Sequence, residues 1–198
     1  MKIQLDVNLV EYSNAFLKDV CVHTDDPKVL DEISQFIREN PEHACTEFER
    51  YGSYDAELWI VAIAIVKNKQ VSNTAILNLC LSQNTAVREV VAEIAPLGEE
   101  AINILSNDED DDVIKYLICK DRVDKKTFDH IFERIITDKL IFLEQLLQND
   151  YYDFMKCILT NKHISLKQRK QLKKWLYARC EVEALKEYMV SNGIYDFA

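Results

Sequence analysis

The chain carries two similar segments in succession: residues 73–94 read NTAILNLCLSQNTAVREVVAEI, and residues 99–118 read EEAINILSNDEDDDVIKYLI. Five apolar positions of the first segment recur at a fixed distance in the second. They are Ile76, Leu79, Val87, Val90 and Val91, each of which has its counterpart twenty-six residues later, at Ile102, Leu105, Val113, Tyr116 and Leu117. A constant offset of this length predicts stacked helix pairs that bury equivalent positions against each other.

The same register extends in both directions along the chain. An equal step backwards from Val87, Val90 and Val91 reaches Val61, Ala64 and Ile65. A weaker third copy is predicted by a forward step of twenty-seven residues. This step takes Ile104, Leu105, Val113 and Tyr116 to Ile131, Phe132, Leu140 and Leu143. Four successive second helices therefore share one apolar pattern, whereas the first helices of the pairs match less well.

Composition favours a helical protein with one continuous core. The 198 residues are 48% hydrophobic, and they include only three Gly and three Pro, which is too little turn chemistry for a many-stranded sandwich or barrel. We expect an all-α fold of about ten to twelve helices, given usual helix lengths. The prediction is a single repeat domain over 1–198, with N-terminal helices in 1–52, a repeat core in 53–150 and C-terminal helices in 151–198.

Two helices are predicted from local signals. Asp26-Pro27 combines an acidic N-cap with a proline at a first-turn position, and Asn40-Pro41 marks the end of that helix. The run Leu58–Val66 is apolar on every side, which predicts a central helix that is buried on most faces.

The first residues allow two interpretations. Residues 2–9 alternate between apolar and polar side chains, which is the period of a strand that would need a partner's sheet edge or a second copy. Alternatively, a helix runs from about Asp6 through Leu17 and Val20. We favour the helix, because an isolated strand leaves unpaired backbone groups.

Charge and cysteine distribution bear on partners and compartment. The net charge of −10 argues against a protein whose whole surface follows nucleic-acid phosphates. The six cysteines are scattered, which fits thiols in a reducing compartment better than a disulfide framework. No apolar run approaches the roughly 20 residues of a membrane span, and no signal peptide is recognisable. We expect a cytoplasmic protein without a membrane partner.

The order of features between Asn84 and Leu105 resembles HEAT-type helical repeats and the related leucine-rich repeat variant. A polar loop at Asn84-Thr85 precedes Val87-Arg88 and an apolar helix, and a Leu97-Gly98 turn then leads into an acidic, apolar helix at Glu99–Leu105. The pattern covers a third to a half of the chain. The resemblance implies a short, irregular right-handed α-solenoid that binds proteins, or less often nucleic acids, and it brings no catalytic residues.

The chain departs from these families at one polar position. In HEAT proteins the arginine of the Val-Arg pair often forms a ladder with acidic residues between repeats. Here it occurs only as Arg88, and Ala62, Ile114 and Ile141 stand at the equivalent positions. A regular polar ladder is therefore not expected.

An acidic loop is the first candidate site. It consists of Asp108, Glu109, Asp110, Asp111 and Asp112. One interpretation is that Asp110 or Asp111 caps the following helix, whose dipole favours the other carboxylates. The functional interpretation is a docking surface for a basic protein partner. Calcium is disfavoured, because an EF-hand loop that starts at Asp108 would need Gly and Glu where Val113 and Cys119 stand.

A basic helix over Ser165–Arg179 is the second candidate site. Between Lys162 and Arg179 the chain has seven Lys or Arg and no acidic residue. The candidate contact residues are Lys167, Arg169, Lys170, Lys173 and Lys174. This helix is interpreted as a polar cap of the repeat array, as a surface for a partner or for self-association, or as a contact for nucleic-acid phosphates.

Metal and catalytic motifs are weak. Cys21, His23, His43 and Cys45 form a mirror pair, but the ligands in each pair are only two positions apart, closer than structural zinc sites typically have, so coincidence is favoured. No Gly-rich phosphate loop or nucleophile elbow is present, and His130 is explained as a structural histidine. We expect no cofactor, no metal and no enzymatic activity.

The leading hypothesis is a non-enzymatic adaptor, inhibitor or scaffold that binds a protein partner with a basic surface. A second hypothesis is a nucleic-acid-associated protein that uses the basic helix, or an acidic DNA mimic that occupies the nucleic-acid site of its target. An enzyme on a helical-repeat fold is the third.

Overall fold

The structure is a computed structural model that describes residues 13–41, 58–137 and 149–179 together with Val190. These ranges contain ten helices and no strand, so the predicted all-α fold is confirmed for them. The chain divides into two compact units, Met1–Leu105 and Ser106–Ala198. The finer division into 1–52, 53–150 and 151–198 stays a prediction. None of the described helices is both long enough and apolar enough to cross a membrane.

The first unit contains six of these helices, and polar side chains fix where four of them begin. Their bounds are α1 (Asn14–His23), α2 (Pro27–Glu39), α3 (Leu58–Lys67), α4 (Asn73–Cys80), α5 (Thr85–Ile94) and α6 (Glu99–Leu105). Ser13, Asp26, Ser72 and Asn84 precede α1, α2, α4 and α5, and the side chain of each accepts a backbone N–H of the first turn. Such caps satisfy amide donors that have no partner within the helix.

The start of α1 corrects one expectation. Ser13 has extended backbone angles (φ −68°, ψ 151°), and its hydroxyl oxygen accepts the N–H of Phe16 at 3.3 Å. A continuous helix from Asp6 through Val20 is therefore wrong, because the helix begins at Asn14. Residues 1–12, which include the alternating segment, lie outside the described residues.

Helices of the first unit pack in an alternating order. Helix α1 contacts α3, and α3 contacts α5, while α2 contacts α4, and α4 contacts α6. Helix α3 also contacts α2 and α4. It buries Leu58, Val61, Ala62, Ala64, Ile65 and Val66. The prediction of a central helix that is buried on most faces is confirmed, and each large apolar side chain buried there contributes roughly 1.5–3 kcal/mol.

Hydrogen bonds reinforce this alternation. The Asn68 amide, just after α3, donates to the backbone carbonyls of Cys21 at 2.7 Å and Thr24 at 3.0 Å at the end of α1. Between the even-numbered helices, the Asn78 amide of α4 donates to the Ser34 hydroxyl of α2 at 3.1 Å. Each bond joins helices that are far apart in the sequence but adjacent in the packing order.

Some of the positions that the sequence offset pairs are buried alike, whereas others differ, since Ile76 is buried and its counterpart Ile102 is only half-buried. Val61, Val87 and Val113 are fully buried, and so are Ile65, Val91 and Leu117. This agreement across three helices is what a repeated helix pair would produce, since each copy would present the same face to its neighbours. Of the predicted third copy, Ile131 and Phe132 are buried, while Leu140 and Leu143 lie outside the described residues.

The second unit contains four of the described helices. They are α7 (Asp111–Cys119), α8 (Lys125–Ile136), α9 (Asn149–Thr160) and α10 (Leu166–Arg179). Helix α7 packs against α9, and α8 packs against α10. Their core includes Val113, Leu117, Phe128, Ile131, Phe132, Ile135, Phe154, Met155, Ile158 and Leu172.

A disulfide joins α7 to α9. It links Cys119 to Cys157, whose Cα atoms are 5.2 Å apart. The expectation of six thiols is therefore wrong for this pair, while Cys21 and Cys80 are free and buried. Because disulfides persist in oxidising environments, the argument for a reducing compartment from scattered thiols no longer holds. A cytoplasmic location stays a prediction.

Candidate functional site

The acidic loop is built around the start of α7. The Asp108 carboxylate accepts the N–H of Asp110 at 2.9 Å, and the Asp110 carboxylate accepts the N–H of Asp112 at 2.9 Å. Asp110 is the N-cap, and Asp111 and Asp112 occupy the first turn, where the helix dipole favours negative charge. Two of the five carboxylates are thus used in forming the helix terminus, as the capping interpretation predicts.

A similar arrangement occurs one offset earlier in the chain, although the cap there accepts the amide three residues on instead of two. The Ser82 hydroxyl accepts the N–H of Asn84 at 3.2 Å, and the Asn84 side chain accepts the N–H of Val87 at 3.3 Å. Ser82 and Asn84 stand twenty-six residues before Asp108 and Asp110. The Arg88 guanidinium donates to the carbonyls of Ser82 and Gln83 at 2.9 and 3.2 Å, which fixes this earlier turn from inside its own helix.

Asp111 is the member of the acidic loop with the least favourable surroundings. Its side chain is half-buried, and among the described residues its buried Oδ1 atom has no hydrogen-bond partner. The pKa of Asp111 is raised to about 6, mainly by burial and then by the neighbouring carboxylates of Asp110 and Asp112, while Arg134 opposes the shift. A carboxylate in this position is costly to keep charged at neutral pH.

Glu109 and Asp112 are the exposed members of the acidic loop. Asp112 forms an ion pair with Lys115 one turn later, at 3.1 Å. Exposed pairs of this kind contribute at most about 1 kcal/mol, so Asp112 can exchange Lys115 for another cation at little cost. Of the five predicted docking residues, these two are therefore the ones whose side chains are exposed.

Helix α8 holds the backbone of the acidic loop. The Arg134 guanidinium donates to the carbonyls of Ser106 at 2.5 Å and Asp108 at 2.6 Å. Nearby, His130 Nε2 lies 2.9 Å from the Asn107 amide oxygen, which gives that histidine the structural role that was predicted. Burial lowers the pKa of Arg134, while Asp108 and Asp111 oppose that shift.

Arg134 was not predicted as part of the site. Its only signal in the sequence is a single arginine between Phe132 and Ile135, which are both buried. A cation beside such residues needs partners that satisfy its donors, and the carbonyls of the acidic loop supply them.

The basic helix is anchored at its N-terminus by a capping box. The Ser165 hydroxyl accepts the N–H of Gln168 at 3.2 Å, and the Gln168 side chain accepts the N–H of Ser165 at 2.9 Å. The Gln168 amide also donates to the Asp129 carboxylate of α8 at 2.7 Å, and Leu172 is fully buried. These contacts fix which face of α10 is turned toward α8.

The five candidate basic residues separate into two groups. Arg169 and Lys173 are half-buried, and Lys173 has interactions of its own. Lys167, Lys170 and Lys174 are exposed. They follow the spacing of three and four residues that places side chains on one helical face. We call these three residues, with the exposed Gln171 between them, the lysine stripe.

The described half of the cysteine and histidine mirror pair does not form a ligand set. Cys21 is fully buried, and burial raises its pKa to about 12. His23 is exposed and lies 3.4 Å from the Asp19 carboxylate. The two side chains thus have opposite environments, since residues two apart on a helix do not face each other. His43 and Cys45 lie outside the described residues.

Comparisons with models of protein families, with curated proteins and with solved structures find no match. The resemblance to HEAT repeats therefore rests on the residues quoted above and on the packing order of α1 to α6. What that resemblance implies about function is a proposal.

Proposed function

We propose that this chain is a non-enzymatic adaptor, inhibitor or scaffold that binds a protein partner, built as a short right-handed α-solenoid of HEAT-like helix pairs. The observation that carries the proposal is the packing order of the first unit, in which α1, α3 and α5 contact in succession and α2, α4 and α6 do the same. Stacked pairs of this kind bury one helix row against the other and leave extended outer faces for binding.

The acidic loop supports a basic partner in particular. Glu109 and Asp112 are exposed beside a helix N-terminus, and the chain as a whole carries a net charge of −10. Complementary charge of this kind raises association rates and discourages partners of like charge, while buried aromatic and aliphatic anchors supply most of the affinity. The loop thus contributes steering and register to the interface.

The test is affinity purification of the tagged full chain from its native cells after nuclease treatment. We expect a stoichiometric protein partner, and we expect Glu109→Lys to reduce its recovery about tenfold at low salt, with less effect at high salt. Glu133→Lys is the matched control, because Glu133 is also exposed and lies in the same unit. It should retain the partner.

Two results would contradict the proposal at different levels. Recovery of no stoichiometric protein partner would remove the adaptor function itself. A partner that survives Glu109→Lys as well as it survives Glu133→Lys would keep the binding function and remove the acidic loop from its interface.

A further inference from the structure

Among the described residues of the second unit, several lysines form ion pairs with carboxylates. Lys115 pairs with Asp112, Lys125 with Asp129, and Lys162 with Asp121. These pairs show that lysines of this unit are neutralised where an acidic side chain is within reach.

The lysine stripe follows a different pattern. Within the part of the chain that the structure describes, Lys167, Lys170 and Lys174 have no carboxylate within ion-pair distance, although all three are exposed. No acidic residue occurs between Lys162 and Arg179. Three like charges held on one face of a helix repel one another, so an anion with several charges would relieve that repulsion if it bound there.

The geometry of the stripe matches a linear polyanion. With a rise of about 1.5 Å per residue, the three lysines extend over roughly 10 Å of the helix axis. Phosphates follow each other every 3.4 Å or so along one strand of a duplex, so about three phosphates fall within this length. Lysine is a hydrated point charge on a flexible stem, which accommodates such spacing without a fixed planar geometry. Gln171, exposed within the stripe, adds an uncharged hydrogen-bond donor.

The support of α10 makes the stripe a persistent surface. The capping box at Ser165, the bond from Gln168 to Asp129 and the buried Leu172 all hold the opposite face of the helix. The lysines therefore keep their common direction without help from the ligand, which reduces the ordering cost of binding.

We propose that the lysine stripe of α10 binds the phosphate backbone of nucleic acid without reading its sequence. This function goes beyond the protein-binding role above and uses a different surface. Phosphate contacts position a protein on nucleic acid but carry no sequence information, and lysine stems reach phosphates rather than a defined pattern of base edges. The acidic remainder of the chain restricts the contact to this helix and keeps its affinity low.

The proposal makes a quantitative statement about salt. Three neutralised phosphates give a plot of log K against log salt concentration with a slope of about −3 for a duplex and about −2 for a single strand. Anisotropy of a fluorescent 20-nucleotide strand and of its duplex, titrated with the full chain between about 50 and 200 mM salt, measures both slopes.

The variant that tests the stripe is K167Q/K170Q/K174Q. The matched control is K28Q/K67Q/K69Q, which removes the same charge from three exposed lysines of the first unit. We expect the stripe variant to lose about a hundredfold in affinity near 100 mM salt, with a slope near zero, while the control loses far less. Both variants should retain the wild-type circular dichroism spectrum and melting temperature, since every substituted side chain is exposed.

Several outcomes would overturn the proposal. The proposal fails if the wild type binds neither probe, or if its log K does not depend on salt concentration. It also fails if the two triple variants lose equal affinity. If the stripe variant instead abolishes binding to phosphatidylserine vesicles, or a salt-sensitive dimer seen by sedimentation, while neither nucleic acid binds, the stripe serves a membrane or a second copy and the proposal fails. None of these outcomes affects the partner test of Glu109→Lys, so the two functions stand or fall separately.

Discussion

Reduction of the disulfide between Cys119 and Cys157 should destabilise the second unit by a large and calculable amount. The bond closes a loop of 38 residues. In the chain-entropy treatment, a closed loop of that length removes about 4 kcal/mol of conformational entropy, as TΔS at 25 °C, from the unfolded state. The free energy of unfolding of an ordinary domain is only about 5–15 kcal/mol. A loss of about 4 kcal/mol is a large part of it, so the reduced unit should be only marginally stable.

Tryptophan fluorescence can follow this unit alone. The chain has two tryptophans, Trp59 in the first unit and Trp175 in the second. A Trp59→Phe background leaves Trp175, half-buried on α10, as the reporter of unfolding in urea. With a urea dependence of about 2 kcal/mol per molar, a loss of 4 kcal/mol lowers the midpoint by about 2 M. We expect this shift when a phosphine reductant is added, and also in the double variant Cys119→Ser with Cys157→Ser.

The design includes an internal control. Reductant should leave the unfolding curve of the double serine variant unchanged, which separates the disulfide from any other effect of the reductant. Coincident curves for oxidised and reduced wild type would refute the reasoning. So would alkylation of both cysteines in protein that has been unfolded without reductant, as read by peptide mass spectrometry.

Two further predictions concern the acidic loop. Arg134→Met keeps the aliphatic volume but removes the donors to the Ser106 and Asp108 carbonyls, so we expect a loss of about 1–3 kcal/mol and faster amide hydrogen exchange in residues 106–112. Unchanged exchange there would show that the guanidinium does not hold the loop. Asp111 has a pKa of about 6 in the folded state, above its ordinary value of 3.8, so the folded state binds more protons than the unfolded state between these pH values. Stability should therefore fall as pH rises from 4 to 6, and Asp111→Asn should stabilise the protein at pH 7 by about 1 kcal/mol after allowance for solvent screening. The gain should vanish near pH 4 in urea unfolding, and a gain that is equal at both pH values would contradict the assignment.

Local signals in the sequence were sufficient for much of the fold. Asp26-Pro27 predicted the start of α2, and the apolar run before Lys67 predicted the burial of α3, because caps and periodicity act within a few residues. The same signals were ambiguous at the N-terminus. Leu17 and Val20 fit a helix that starts at Asp6 as well as one that starts after Ser13, and only the backbone at Ser13 distinguishes them.

Contacts between distant segments were beyond the sequence. Nothing near Cys119 indicates that Cys157 lies beside it, since the number of cysteines does not determine their pairing. The role of Arg134 likewise depends on carbonyl groups, which every residue has and which no pattern of side chains reveals. The sequence allowed two roles for the acidic loop, capping of the next helix and docking of a partner. In the structure, Asp108 and Asp110 form the helix terminus, while Glu109 is exposed.

The anchoring of the acidic loop by Arg134 has a kinetic consequence. Glu109 stands on a backbone whose carbonyls at Ser106 and Asp108 are already bonded, so the proposed partner would meet the loop in its final shape. Association with such a surface approaches docking of rigid bodies, and its rate is governed by diffusion and charge rather than by a slow rearrangement. Substitutions around Glu109 would then divide cleanly. Those that change charge would alter the association rate, and those that change contact would alter how long the complex lasts.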